Sequence, residues 1–136
     1  MRALILAFGL LVVGCNEPWD PVGTYEMAQI WGAGDCNLST PRLILLTVTT
    51  RPDGSFLVET DLDGDVEGRV LRINDEECRL EFQVEEPPGL GLSFTGRTVL
   101  LYNIIEDGRD VEGDGLLTVG SPDNCTQVFS VEGDRR

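Results

Sequence analysis

A two-residue alternation of apolar and polar side chains is the feature that most limits what this chain can fold into. It is clearest at Cys78–Val84, where Cys78, Leu80, Phe82 and Val84 share one face and the residues between them are charged or polar. Because successive side chains of a strand point to opposite sides of its sheet, this pattern is typical of an antiparallel strand with one buried face. Beyond residue 14, no segment shows the period of an amphipathic helix. The sequence therefore predicts an all-β fold.

Turn residues separate the alternating segments. The clearest turn is Arg51-Pro52-Asp53-Gly54, in which proline pre-sets φ and glycine accepts a positive φ, and it joins a hairpin of Arg42–Thr50 and Ser55–Thr60. The other predicted strands are Val22–Ile30, Asp65–Ile73, Cys78–Val84, Leu90–Ile105 with a bend at Gly96, Val111–Val119 and Cys125–Glu132. Eight strands joined by short turns indicate one small antiparallel meander, an eight-stranded barrel, with a β-sandwich as the alternative.

The charge balance limits the functions open to the chain. Its 136 residues include 24 acidic and 10 basic side chains, with a net charge of −14, and it contains neither lysine nor histidine. Such a surface repels nucleic acid and anionic lipid headgroups. Without histidine and lysine there is no imidazole base, no serine–histidine pair and no Schiff base. We therefore predict a protein that is not an enzyme, has no cofactor and does not bind nucleic acid. Hydrolysis by two carboxylates is the catalytic alternative that remains.

The first residues have the pattern of an export signal. Arg2 precedes an apolar run, Ala3–Val13, which ends at a small residue and a cysteine, Gly14-Cys15. A positive charge, an apolar stretch and a small exit residue are the parts of a secretory signal peptide. The segment Leu11-Val12-Val13-Gly14-Cys15 resembles the lipobox of bacterial lipoproteins. The resemblance implies cleavage before Cys15 and a lipid anchor (palmitate) on that cysteine.

This resemblance also implies a location and a division of the chain. Residues 1–14 are the predicted signal peptide, 15–21 the lipidated cysteine and a short tether, 22–132 the β-domain and 133–136 a C-terminal tail. The lipid on Cys15 would hold the protein at a membrane of the bacterial cell envelope, and Asn16 after it is consistent with the outer membrane. The expected function is that of a membrane-anchored lipoprotein whose acidic domain has a binding or structural role.

A second, fainter resemblance gives the alternative function. Gly23-Thr24-Tyr25, at the start of the first predicted strand, resembles the Gly-X-Trp opening of lipocalins, with tyrosine in place of tryptophan. The resemblance implies a carrier that holds a small apolar ligand inside an eight-stranded barrel.

Three cysteines follow Cys15, and an exported protein is expected to form a structural disulfide. In a closed meander of eight strands the first and last strands are neighbours. Cys36 follows the first strand and Cys125 begins the last one, so both come to the same end of the barrel. We predict a Cys36–Cys125 disulfide with Cys78 as a buried free thiol. One miscounted strand would exchange the ends and make Cys36–Cys78 the pair.

The segment Asp61-Leu62-Asp63-Gly64-Asp65 resembles the beginning of a calcium-binding loop. An EF-hand loop has glycine at its sixth position and glutamate at its twelfth, whereas this chain has Val66 and Arg72 there. We therefore predict an ordinary turn with weak calcium affinity at most, and no metal site.

Overall fold

A computed structural model of the chain describes residues 19–61, 66–87 and 92–136. These residues form eight strands: β1 (Gly23–Gly34), β2 (Arg42–Thr50), β3 (Phe56–Thr60), β4 (Val66–Asn74), β5 (Arg79–Glu86), β6 (Thr98–Asp107), β7 (Asp110–Val119) and β8 (Cys125–Arg135). Each strand pairs antiparallel with the next one, and β8 pairs back onto β1, so the sheet closes. The predicted all-β, eight-stranded barrel is confirmed.

The alternation in the sequence decides which side chains fill the barrel. On β5, Leu80, Phe82 and Val84 are buried, as their common phase predicts. Phe82 stacks on Tyr102 of β6 with ring centroids 4.7 Å apart, and Tyr102 meets Phe129 of β8 edge to face at 5.0 Å. Three aromatic rings from three strands therefore occupy the interior, where such contacts add to the hydrophobic effect of their burial.

Glycines on the inner face of β7 and β8 allow close contacts with the aromatic cluster and with the neighbouring strands. A Cβ atom on Gly115 would collide with the Phe129 ring and with the carbonyl oxygen of Leu101. Gly113 and Gly133 are equally close to the backbones of the neighbouring strands. Glycine in a strand interior is typical of sites where another backbone approaches closely.

Two turns show where the sequence predicted the chain path correctly and where it did not. In the predicted turn, Gly54 has a φ of 90° and donates to the Arg51 carbonyl at 2.9 Å, which confirms the hairpin. The predicted strand Leu90–Ile105 is wrong over residues 92–97, because β6 begins only at Thr98. The amide of Gly96 donates to the Asp123 carboxylate at 2.8 Å instead of to a neighbouring strand.

The disulfide follows from barrel closure. Cys36 and Cys125 are bonded, with Cα atoms 5.1 Å apart, which confirms the predicted pair. We call the end of the barrel that holds this bond the upper end. The prediction of a free thiol at Cys78 is wrong, because Cys78 is also disulfide-bonded. Burial in phase with Leu80 suits a thiol and a disulfide equally, so that pattern could not distinguish them.

The folded part extends beyond the predicted domain limits. Trp19 is buried at the end opposite the disulfide, which we call the lower end, and β8 continues to Arg135, whose register partner on β1 is Tyr25. Residues 133–135 therefore belong to the sheet and are not a tail. The predicted signal peptide and Cys15 lie outside the described residues, as do residues 62–65 of the acidic turn.

Candidate binding surface

The outward side chains of β6, β7, β8 and β1 form a continuous surface, which we call the outer wall. Strand pairing arranges it in rows, with one residue from each strand at the same height. Below the uppermost residues Val99, Thr118 and Thr126, four rows follow downwards: Leu101-Leu116-Val128, Asn103-Asp114-Ser130-Ile30, Ile105-Glu112-Glu132-Ala28 and Asp107-Asp110-Asp134-Glu26. Side chains on one face of a strand repeat every second residue, so neighbouring rows are about 7 Å apart.

The two upper rows border an open groove with a volume of about 630 Å³. Six large apolar side chains are exposed in the part of the chain that the structure describes, and only Leu43 lies elsewhere. The five at the groove are 38–46% exposed and are Ile30, Leu71, Leu101, Leu116 and Val128. We call this feature the apolar groove, and its concentration of exposed aliphatic surface is typical of a binding site.

The missing side chain of Gly115 leaves little material between the groove and the barrel interior. Gly115 lies in the lining of the groove, together with Tyr102 and Phe129. Because Gly115 has no side chain, only its backbone lies between the groove and the Phe129 ring, and that backbone packs directly against the ring. The inner aromatic cluster and the outer groove therefore lie on opposite sides of the backbone at Gly115.

The two lower rows are acidic, and we call them the acidic rows. Glu112 lies directly opposite Glu132, and Asp110 lies opposite Asp134. Like charges at directly opposed positions destabilise a sheet. Within the described residues, the one ion pair made by these carboxylates joins Glu26 to Arg136, at 3.0 Å. The lower half of the outer wall thus presents a concentrated negative potential beside an apolar groove.

A buried ion pair lies inside the barrel at its upper end. Arg42 makes two hydrogen bonds to the Glu86 carboxylate, at 3.2 and 2.9 Å, and its Nε donates to Gln29 Oε1 at 2.8 Å. The Tyr102 hydroxyl donates to the same oxygen at 3.2 Å, whereas Gln29 Nε2 is buried with no hydrogen-bond partner. Burial by itself lowers the pKa of Arg42, but the hydrogen bond and charge of Glu86 outweigh it and raise that pKa.

A second buried ion pair lies at the lower end. The Glu106 carboxylate accepts hydrogen bonds from Trp19 Nε1 and Arg135 Nη1, both at 2.6 Å. The Arg135 guanidinium also lies over the Tyr25 ring, 5.4 Å from its centroid. Glu86 and Glu106 are at opposite ends of the barrel, and each forms an ion pair with an arginine. These two buried carboxylates are therefore too far apart to act together as a catalytic acid and base.

Of the site residues predicted from the sequence, Cys36 and Cys125 lie at the upper end and are not among the residues that line the groove. Asp35, Cys36 and Cys125 lie close enough together to suggest metal ligands. Both cysteine sulfurs are in the disulfide, however, and a thiolate is the form that binds metal. The Asp35 carboxylate accepts the Thr126 amide at 2.8 Å. These three residues therefore close a loop rather than form a metal site.

The sequence interpretation missed the outer wall, although a signal for it is present. In each of the four strands of the outer wall, an apolar residue at an inward position has an apolar neighbour at an outward one. These doublets are Ile30-Trp31, Leu100-Leu101, Leu116-Leu117 and Val128-Phe129. Strict alternation would place a polar residue at each outward position, so each doublet marks an outward apolar side chain.

Comparison with known proteins finds no matching family model, no matching curated protein and no matching solved structure. Among the residues described, none belongs to a helix with the length and apolar character needed to cross a bilayer. The geometry of the site therefore carries the functional assignment.

Proposed function

We propose that this chain is a lipid-anchored bacterial lipoprotein whose barrel is a non-catalytic binding module, with the apolar groove as its binding surface. The observation that supports the binding role is the position of the exposed aliphatic side chains. Five of the six that the described residues expose line one groove, instead of being scattered over the barrel. Soluble domains expose such contiguous patches chiefly where something binds.

The alternative is a lipocalin-like carrier of a small apolar ligand. The inside of the barrel holds the Phe82, Tyr102 and Phe129 rings, and the Arg42–Glu86 pair lies above them. A ligand inside would have to displace these side chains. The apolar groove has the volume of a small-molecule site, which is typically about 300–1,000 Å³. A carrier function is therefore better supported on the outside of this barrel than within it.

The proposed anchor gives the barrel an orientation. Trp19 is fixed at the lower end by its hydrogen bond to Glu106, and Cys15 precedes it by four residues. Four residues span at most about 14 Å when fully extended. A lipid on Cys15 would therefore hold the lower end near the membrane, with the apolar groove in the half of the barrel that faces away from it.

The anchor is tested with the full-length protein and a Cys15→Ser variant expressed in a bacterium. We expect the unaltered chain in the detergent-soluble membrane fraction with a lipidated N-terminal cysteine, and the variant as an unprocessed precursor. One sulfur cannot carry both a lipid thioether and a disulfide. Mass spectrometry without reduction that finds the Cys15 and Cys78 peptides joined would contradict the anchor.

The groove is tested with the neutral apolar dye Nile red and a Leu101→Ser/Leu116→Ser variant. Both leucines are 38% exposed, so the variant is expected to fold and to lose most of the dye fluorescence. Leu43→Ser on β2, at a residue that is 74% exposed, is the matched control and should keep the signal. Equal dye binding by the two variants would exclude the groove as the apolar binding surface.

A further inference from the structure

From the acidic rows below the apolar groove, we infer the chemical class of the partner: a polypeptide segment with apolar side chains at one end and lysine or arginine at the other. This inference rests on the proposed binding role of the groove. The apolar groove and the acidic rows meet on β6, β7, β8 and β1, so one ligand can cover both. The apolar end would occupy the groove, and the basic end would lie on the acidic rows.

The arrangement of the charges is the first argument. Glu112 and Glu132 are directly opposed on neighbouring strands, and so are Asp110 and Asp134. A sheet gains stability from opposite charges at such positions and loses it from like charges. These pairs lack the bridging arginine that ties Glu67 to Arg51 or Glu85 to Arg97 elsewhere on the barrel. A cationic partner would relieve the repulsion that the folded chain leaves in place.

The same charges argue against the other occupants of an apolar groove. An anionic membrane surface would be repelled by the acidic rows, and so would the outer wall of a second copy of this chain. A small neutral ligand would occupy the groove but gain nothing from the carboxylates below it. A basic and apolar polypeptide is the occupant that uses both halves of the outer wall.

The spacing of the rows sets the length of the segment. The row of Leu101 and Leu116 lies about 14 Å above that of Glu112 and Glu132, and about 20 Å above the lowest row, at about 3.4 Å per strand residue. A helix rises about 1.5 Å per residue, so its apolar and basic groups would be about 9 to 13 residues apart. In an extended segment the same distance takes about 4 to 6 residues.

The experiment uses a fluorescein-labelled synthetic helical peptide with leucines in its first half and lysines in its second half. A second peptide has glutamine in place of every lysine. Binding to the folded protein is followed by fluorescence anisotropy at several salt concentrations. We expect the lysine peptide to bind at least about tenfold more tightly at low salt, and this advantage to shrink as salt screens the charges.

Two double variants separate the two halves of the surface. Leu101→Ser/Leu116→Ser should weaken both peptides, whereas Glu112→Gln/Glu132→Gln should weaken the lysine peptide about tenfold and leave the glutamine peptide unchanged. Glu59→Gln/Glu76→Gln removes the same charge from exposed positions away from the outer wall, and should change binding less than about twofold. Because the replaced carboxylates are exposed, circular dichroism should show each variant folded.

The outcomes distinguish the partner class from the binding role itself. If both peptides bind equally and the change at Glu112 and Glu132 has no effect, while the leucine variant still abolishes binding, the basic partner is wrong and the apolar binding surface stands. If the Glu59 and Glu76 control weakens the lysine peptide as strongly, the attraction comes from net charge alone and the basic partner is again wrong. If the leucine variant changes neither peptide, the proposed function fails as well.

Discussion

The two buried arginine–glutamate pairs close opposite ends of the same barrel in different ways. At the upper end, Arg42 and Glu86 join β2 to β5, three strands apart, and Glu86 is only 1% exposed. At the lower end, Arg135 and Glu106 join β8 to β6, and Glu106 is 7% exposed. The two arginine side chains are about equally exposed, at 18% and 21%, so the pairs differ chiefly in their other partners: the lower pair also holds the segment that precedes β1.

The surroundings of the two pairs show what each one does. Arg135 has further partners, because it donates to the carbonyls of Asp20 and Val22. Arg42 has Gln29 as its other hydrogen-bond partner, and the amide nitrogen of that glutamine is left without an acceptor. A buried ion pair is tolerated where further hydrogen bonds satisfy both ions, and removing one partner is expensive where they do not. The two ends should therefore respond differently to the same substitution.

The largest effect is expected from opening the disulfide at the upper end. Cys36→Ser/Cys125→Ser removes a bond between residues 89 positions apart. The chain-entropy treatment of such a long loop gives a loss of about 4–5 kcal/mol in the free energy of unfolding. Urea unfolding followed by circular dichroism measures it. A loss below about 1 kcal/mol would mean that β1 and β8 are held together without the bond.

Breaking the two ion pairs compares the ends directly. Glu86→Ala leaves Arg42, whose side chain is only 18% exposed, without its carboxylate, and we expect a loss of about 3–5 kcal/mol in the free energy of unfolding. Glu106→Ala should cost less, about 2 kcal/mol, because Arg135 keeps its backbone partners. Glu59→Ala, at an exposed position, is the control and should change stability by less than about 0.5 kcal/mol. Equal losses at Glu86 and Glu106 would remove the distinction between the two ends.

The two tryptophans give a smaller and more local comparison. Trp19→Phe keeps a buried ring but removes the bond to the Glu106 carboxylate, which should cost about 1.5 kcal/mol. Trp31→Phe removes a bond to the Thr40 carbonyl at 3.1 Å that is exposed to solvent, and should cost about 0.5 kcal/mol. Thermal melting of the two variants side by side tests the order, and a larger loss at Trp31 would contradict it.

Local patterns were enough to predict the architecture of this barrel. The phase of Leu80, Phe82 and Val84 gave the buried face of β5, and the Arg51-Pro52-Asp53-Gly54 turn gave a hairpin. Closure of eight strands in sequence order then placed Cys36 beside Cys125. Each of these steps uses information from one or two neighbouring strands, which periodicity and turn chemistry supply.

What was missed depends on residues that are distant in sequence. Glu86 continues the inward phase of β5, but its partner Arg42 lies three strands away. No local sequence pattern therefore predicts that the two form an ion pair inside the barrel. The outer wall likewise exists only because the pairing register brings Leu101, Leu116 and Val128 to one height. The doublets in the sequence show that each is outward and apolar, but not that they meet.

The last comparison concerns the two tyrosines of the chain, Tyr25 near the lower end and Tyr102 below the upper ion pair. Their ionisation should leave the free energy of unfolding unchanged at neutral pH and lower it at high pH. Burial raises the pKa of both hydroxyls well above the ordinary value of about 10. Below pH 10 both are protonated in the folded and the unfolded chain, so they add no pH dependence there. Above it, the unfolded chain releases protons that the folded chain retains, and stability falls by up to about 1.4 kcal/mol per pH unit for each tyrosine.

Because the chain has no lysine, no ammonium side chain titrates in this pH range, and the change in stability can be assigned to the tyrosines. We expect tyrosinate absorbance to rise only together with the loss of the far-ultraviolet strand signal, because the folded barrel keeps both hydroxyls protonated. Tyr25→Phe should halve the dependence of unfolding on pH above 10 and leave Tyr102 as its single source. If one tyrosinate forms near pH 10 while the strand signal is unchanged, that hydroxyl is in contact with water. Comparing Tyr25→Phe with Tyr102→Phe would then show at which end of the barrel water reaches the tyrosine hydroxyl.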